Sequence, residues 1–118
     1  MTTEQFIWCL SMTESHNNPD SKLGDSGRAE GRFQIHPDWM DTQMRKFAIR
    51  PALNETWNTF FTRLVTAFYN WEIRNMDAVH CAMYFHMGHP TNQTNEDWDK
   101  EYADRFVDFA AQVIKSGT

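Results

Sequence analysis

Between Trp57 and Ile73 the chain places Trp57, Phe60, Phe61, Leu64, Val65, Phe68, Tyr69 and Ile73 at three- and four-residue intervals. That spacing lines all eight side chains along one stripe of an α-helix roughly five turns long. A stripe this bulky must be covered by other elements, so it predicts a central core helix, capped by Asn54 after Arg50-Pro51. A chain of 118 residues, 41% hydrophobic and 14% aromatic, can supply that cover within a single domain spanning residues 1–118. This composition excludes a disordered chain.

The remaining elements are read from the same kind of signal. Thr2 with Gln5 fits a capping box, and Phe6, Ile7, Cys9, Leu10 and Thr13 then keep helical spacing, which predicts a first helix from about Thr3 to about Ser15. His36-Pro37 opens a helix with proline in its first turn and Trp39, Met40, Met44 and Phe47 on its apolar side. Asp77 caps a further helix running through Met87 to Gly88. A last helix runs from about Glu96 to Lys115, with Trp98, Tyr102, Phe106, Phe109, Ala110 and Val113 on one side. From Arg28 to Ile35, polar Arg28, Glu30, Arg32 and Gln34 alternate with Ala29, Gly31, Phe33 and Ile35, a period of two that predicts a short strand. The expected fold class is therefore mainly α (α+β), with about five helices and a small β-hairpin or three-strand flap after the first.

Chemistry concentrates between Thr13 and Met40. Glu14 falls in the last turn of the first helix, where the negative end of the helix dipole and a partly apolar setting both oppose ionisation. A carboxyl kept neutral is a usable general acid. From His16 to Gly27 the chain turns to Asn, Pro, Asp, Ser and Gly, and Asp25 lies among backbone amides that stabilise its charge. One neutral and one ionised carboxyl is the pairing that glycosidic cleavage requires. The same residues also fit a solvated glutamate at a helix end and a plain turn aspartate. Glu30 is a rival second carboxylate, or one rung of a surface charge ladder with Arg28 and Arg32.

Charge and residue type exclude other classes. A net charge of -5 with interspersed signs offers no basic stripe for phosphate backbones, so no nucleic-acid partner is expected. The run Phe6–Met12 is too short to span a bilayer and has no basic leader, so no membrane association is expected and synthesis in the cytoplasm is. Cys9 and Cys81 sit in apolar surroundings and read as buried thiols, with a disulfide between them the open alternative. The five histidines form no helical ligand pair, so no metal and no cofactor are expected.

The segments Glu14–Asn18 (ESHNN), Gly24–Gly27 (GDSG) and Glu30–His36 (EGRFQIH), in this order, resemble the lysozyme superfamily. The likeness is to invertebrate-type lysozymes and their bacterial and phage relatives, with a parallel likeness to goose-type lysozymes and lytic transglycosylases. In those families a Glu-Ser pair ends the first long helix, matched here by Glu14-Ser15. A Gly, two variable residues, then Gln and an apolar residue mark the sheet that follows, matched by Gly31-Arg32-Phe33-Gln34-Ile35. A further segment, Phe85–Pro90 (FHMGHP), is similar to the His-Asn-Gly-Gly-Pro segment of the invertebrate-type group, although Met87 replaces a small polar residue. The likeness runs from Trp8 to about Val107.

The resemblance implies a lysozyme-like fold and hydrolysis of the bond between N-acetylmuramic acid and N-acetylglucosamine in peptidoglycan. Glu14 then matches the general acid, and Asp25 lies near the place of the second carboxylate. Gln34 and His86 match positions that line or support the cleft, and Ser15, Phe33 and Glu30 complete the candidate substrate-binding set. The implied protein is a monomer acting on glycan strands at the bacterial cell wall. Its lack of a dense cysteine framework fits a phage or bacterial version. Two alternatives stay open: a lytic transglycosylase that uses Glu14 alone, and a non-catalytic glycan-binding or virion structural domain.

Overall fold

A computed structural model of the protein describes residues 1–20, 30–87 and 100–116. Among them five helices follow in order: α1 (Thr3–Ser15), α2 (Pro37–Phe47), α3 (Trp57–Glu72), α4 (Ala78–Met87) and α5 (Lys100–Ser116). The mainly helical expectation is met. Among the described residues no helix is long and apolar enough to cross a membrane.

Helix α1 starts as its sequence predicts. Thr2 Oγ1 accepts from the Gln5 amide at 3.1 Å and Gln5 Oε1 accepts from the Thr2 amide at 2.8 Å, a reciprocal capping box. The helix ends abruptly: His16 and Asn17 both take left-handed backbone, and their amides close onto Met12 O and Ser11 O. The chain therefore leaves the helix immediately after Glu14-Ser15.

The core forms where α1 lies against α5 on one side and α3 on the other. Phe6 is its hub, stacked on Tyr69 of α3 at 4.0 Å between ring centres and tilted against Phe106 of α5 at 5.7 Å. Helix α2 is fastened to this core by Trp39, whose ring meets Phe68 and Phe85, and by the Lys46–Glu72 ion pair at 3.2 Å. Ser11 and Thr13 are buried polar residues of α1, and each hydroxyl donates to a carbonyl one turn back, Trp8 O and Cys9 O. Cys9 and Cys81 are buried free thiols. Burial pushes them up to about 11 and about 12, with Glu72 and Asp77 adding to the shift at Cys81, so neither is a ready nucleophile.

Two of the predicted caps differ in outcome. Asp77 caps α4, its carboxylate accepting from the His80 amide at 2.8 Å. Asn54, by contrast, takes a left-handed turn conformation, and Thr56 caps α3 by accepting from the Thr59 amide. Glu55, which follows it, is committed to other partners. Its carboxylate takes a bidentate pair of hydrogen bonds from Arg63 at 2.7 and 2.8 Å and one from the Ala52 amide. These bonds hold the Glu55 carboxyl down at about 2, against an ordinary 4.5. A carboxyl depressed on folding adds stability that is complete above its unfolded value and is lost as pH falls toward its folded value. Glu55→Gln is therefore expected to lower the melting temperature at neutral pH and to flatten the acid limb between about pH 4.5 and about 2, measured by thermal unfolding across that range.

The strand predicted over residues 28–35 does not form within its described part. Residues 31–34 make a tight turn closed by one antiparallel bridge, with Glu30 N to Ile35 O at 3.1 Å and Ile35 N to Glu30 O at 2.9 Å. Gly31 at φ +79 and Gln34 at φ 51 cannot belong to an extended strand. The alternation at Phe33 and Ile35 still serves burial, since both side chains enter the core. Arg32 also departs from the predicted charge ladder. Its guanidinium reaches Asn17 Oδ1 at 3.0 Å and Thr62 Oγ1 at 2.9 Å, tying the turn to the end of α1 and to α3.

Gly31 has two reasons to be glycine. Its backbone is left-handed, and an added Cβ would stand 3.3 Å from the Phe61 ring. Gly31→Ala is expected to cost about 2 kcal/mol in urea unfolding, the lower part of it from the left-handed backbone alone. An unchanged midpoint would mean that the turn relaxes freely.

Candidate functional site

Glu14, His86 and Tyr102 meet where the last turn of α1, the last turn of α4 and the first turn of α5 converge. The early end of α1 leaves Glu14 in the final turn, with its side chain only 10% exposed. Tyr102, itself 1% exposed, donates its phenol hydrogen to Glu14 Oε2 at 2.6 Å. His86 Nδ1 lies 3.7 Å from the same oxygen, too far for a hydrogen bond but close enough for its charge to act when protonated. The imidazole is stacked face to face on the Tyr102 ring, 3.9 Å between centres and 13° from parallel, which holds both rings in place.

This arrangement distinguishes the two oxygens of Glu14. Oε2 is occupied as an acceptor by the phenol, so Oε1 is the oxygen through which proton exchange would run. The carboxyl is thus oriented by one oxygen and able to deliver or receive a proton through the other. A nearly buried carboxyl oriented through one oxygen is a candidate proton donor or acceptor.

The other candidate residues have other duties in the structure. Ser15 donates to Arg32 O at 2.6 Å and accepts from the Asn18 amide at 3.1 Å, so its hydroxyl pins the turn of residues 31–34 to the end of α1. Gln34 donates its amide to Gly31 O at 2.9 Å across the same turn. Phe33, assigned to substrate from the resemblance, is 0% exposed and belongs to the core. Its ring is covered on one side by the Arg32 guanidinium at 4.6 Å, so it has no face to offer a sugar. Glu30 is exposed at the bridge and borders a groove beside Trp57. Asp25 lies outside the described residues.

Tyr102 is the participant that helical periodicity disguises as ordinary core. A signal was present: a tyrosine on a stripe otherwise apolar carries a hydroxyl that must find an acceptor when buried. Glu14 is that acceptor. Burial also shapes Arg32, whose guanidinium is pulled below the ordinary arginine value by desolvation and whose Nε has no hydrogen-bond partner among the described residues. Among the described residues no cluster of His, Cys, Asp and Glu has the geometry to hold a metal ion.

No protein-family model matches this chain, and neither a curated protein nor a solved structure is significantly similar to it.

Proposed function

We propose that this protein is a lysozyme-like muramidase, hydrolysing the β-1,4 bond between N-acetylmuramic acid and N-acetylglucosamine in peptidoglycan. The observation that carries this reading is Glu14, nearly buried at the end of α1 and oriented through Oε2 by the Tyr102 phenol. In the proposed step Oε1 delivers its proton to the glycosidic oxygen as the bond to the anomeric carbon breaks. Asp25 is the second carboxylate, attacking that carbon or stabilising the oxocarbenium-like transition state, and water then completes hydrolysis. His86, exposed and stacked on the Tyr102 ring 3.7 Å from Oε2, braces the phenol that orients the acid. Ser15 ties the turn of residues 31–34 to the end of α1, and Gln34 braces that turn. The proposed protein works as a monomer on glycan strands at the cell wall, needs no cofactor, and engages neither nucleic acid nor membrane.

A second reading is favoured by the partners seen on Glu14, a phenol and an imidazole. A lytic transglycosylase needs only one carboxyl, which protonates the leaving oxygen and then removes the proton of the sugar's own hydroxyl as that oxygen closes an anhydro ring. Mass spectrometry of fragments released from purified peptidoglycan separates the two. Ordinary reducing ends are the expected product. Anhydro ends would transfer the assignment to the transglycosylase, and no release over a range of pH and salt would overturn both.

A further inference from the structure

The bond from Tyr102 to Glu14 is 2.6 Å long and spans 88 residues, so its geometry depends on how firmly the last turn of α1 is held. The last turn of a helix is the part that frays, because its carbonyls lack partners within the helix. Here it is followed at once by two left-handed residues, His16 at φ 55 and Asn17 at φ 63. Such backbone persists where surrounding bonds over-determine it.

Arg32 supplies those bonds. Its carbonyl accepts from the Ser15 hydroxyl at 2.6 Å, and its guanidinium donates through Nη1 to Asn17 Oδ1 at 3.0 Å. Through Nη2 it reaches Thr62 Oγ1 of α3 at 2.9 Å. The Thr62 hydroxyl gives its own hydrogen to Asn58 O at 2.8 Å, so its oxygen is turned to receive the guanidinium. One residue thus grips the chain beyond Glu14 at two points, Ser15 and Asn17, and carries that grip to the neighbouring helix. A planar guanidinium fork holds two acceptors in fixed directions, which an ammonium on a flexible stem does not. The arrangement opposes stability locally. Arg32 is half-buried with its guanidinium 4.6 Å from the Phe33 ring, and its Nε is buried with no hydrogen-bond partner among the described residues. In the resemblance Arg32 occupies one of the two variable positions between Gly31 and Gln34, so no role is implied for it there.

We propose that Arg32 is a positioning residue of the Glu14 centre: by clamping the left-handed exit of α1 to α3, it holds the Glu14 carboxyl where the Tyr102 phenol orients it. It acts through Ser15 and Asn17 rather than on the sugar. The proposal rests on the muramidase reading only for the reaction that the carboxyl serves, and the effect of the clamp on the Glu14–Tyr102 bond stands without it.

The test compares native protein with Arg32→Met, which keeps the stem over Phe33 and loses the donors. Two further variants each remove one acceptor: Asn17→Gly, which suits left-handed backbone, and Thr62→Val, which keeps the side-chain shape. One readout is the carbon NMR signal of Tyr102 Cζ in the full chain, identified among the three tyrosines by its loss in Tyr102→Phe. The other is kcat and KM on soluble peptidoglycan fragments. In Arg32→Met the signal should leave its native position, and kcat should fall on the order of tenfold to a hundredfold with KM within about twofold of native. Asn17→Gly, Thr62→Val and Arg32→Lys should move both readouts the same way by less. Glu55→Gln controls for lost stability alone and should leave the signal and kcat at their native values.

The proposal is overturned if the Tyr102 signal stays in place in Arg32→Met, or if Glu55→Gln moves both readouts as far. It is equally overturned if the loss falls on KM with kcat intact, which would make Arg32 a substrate contact. Should Arg32→Met not fold by circular dichroism, Asn17→Gly and Thr62→Val decide by the same criteria. A native protein that cleaves no peptidoglycan, with a Tyr102 signal that moves in Arg32→Met, would sink the muramidase reading and leave the clamp standing. Native cleavage with kcat unchanged in Arg32→Met would do the reverse.

Discussion

Glu14→Gln is expected to reduce peptidoglycan cleavage by on the order of a thousandfold or more, with little change in stability. Gln retains an oxygen that can accept from the Tyr102 phenol, so the hydrogen bond at 2.6 Å and the stack of His86 on Tyr102 have no reason to disperse. What Gln cannot do is release a proton to a leaving oxygen. The measurement is the initial rate of soluble muropeptide release by native and variant protein, with thermal unfolding of both as the control for folding. A residual rate above about a tenth of native would remove Glu14 from the acid's role, since general acid catalysis alone accounts for a hundredfold or more.

The same comparison separates enzyme from binder. A glycan-binding or virion structural domain would keep the fold and lose nothing on substitution of Glu14. The burial of Glu14 argues against that alternative. Placing a carboxyl where its side chain is 10% exposed incurs desolvation, which the hydrogen bond from the Tyr102 phenol opposes. Replacing both partners of such a hydrogen bond by apolar side chains of similar shape can be nearly neutral for stability.

Helices were legible in the sequence where one local cause determined them. The capping box of Thr2 and Gln5, the proline opening α2, and the carboxylate of Asp77 each act within a few residues. The turn at residues 31–34 was not legible, because alternation of apolar and polar residues describes which side chains are buried and not how the backbone delivers them. Phe33 and Ile35 reach the core from a turn as readily as from a strand. Long-range pairings were hidden for a similar reason. Glu14 was singled out from its place at a helix end, but its closest partner lies 88 residues further on. Trp57 fits the helical stripe perfectly well and is exposed only because the stripe outruns the elements that cover it, a property of the assembled packing rather than of the helix.

Phe33→Ala is expected to destabilise the protein by about 3–5 kcal/mol. The ring is 0% exposed and packs within the main core, so its removal leaves a cavity lined by neighbours that α3 and the short turn can close only in part. The turn has little freedom to collapse: Glu30 and Ile35 are bridged, Gly31 stands against Phe61, and Arg32 is held by Asn17 and Thr62. For a domain with a typical 5–15 kcal/mol of total stability, a loss of that size brings the native state near its limit. Urea unfolding read against glycan affinity at low temperature decides between the two roles considered for Phe33. A core residue gives a large drop in midpoint, with affinity retained by whatever fraction remains folded. A substrate-contacting ring would give weakened binding at a nearly native midpoint, and that result would require Phe33 to leave the core when glycan arrives.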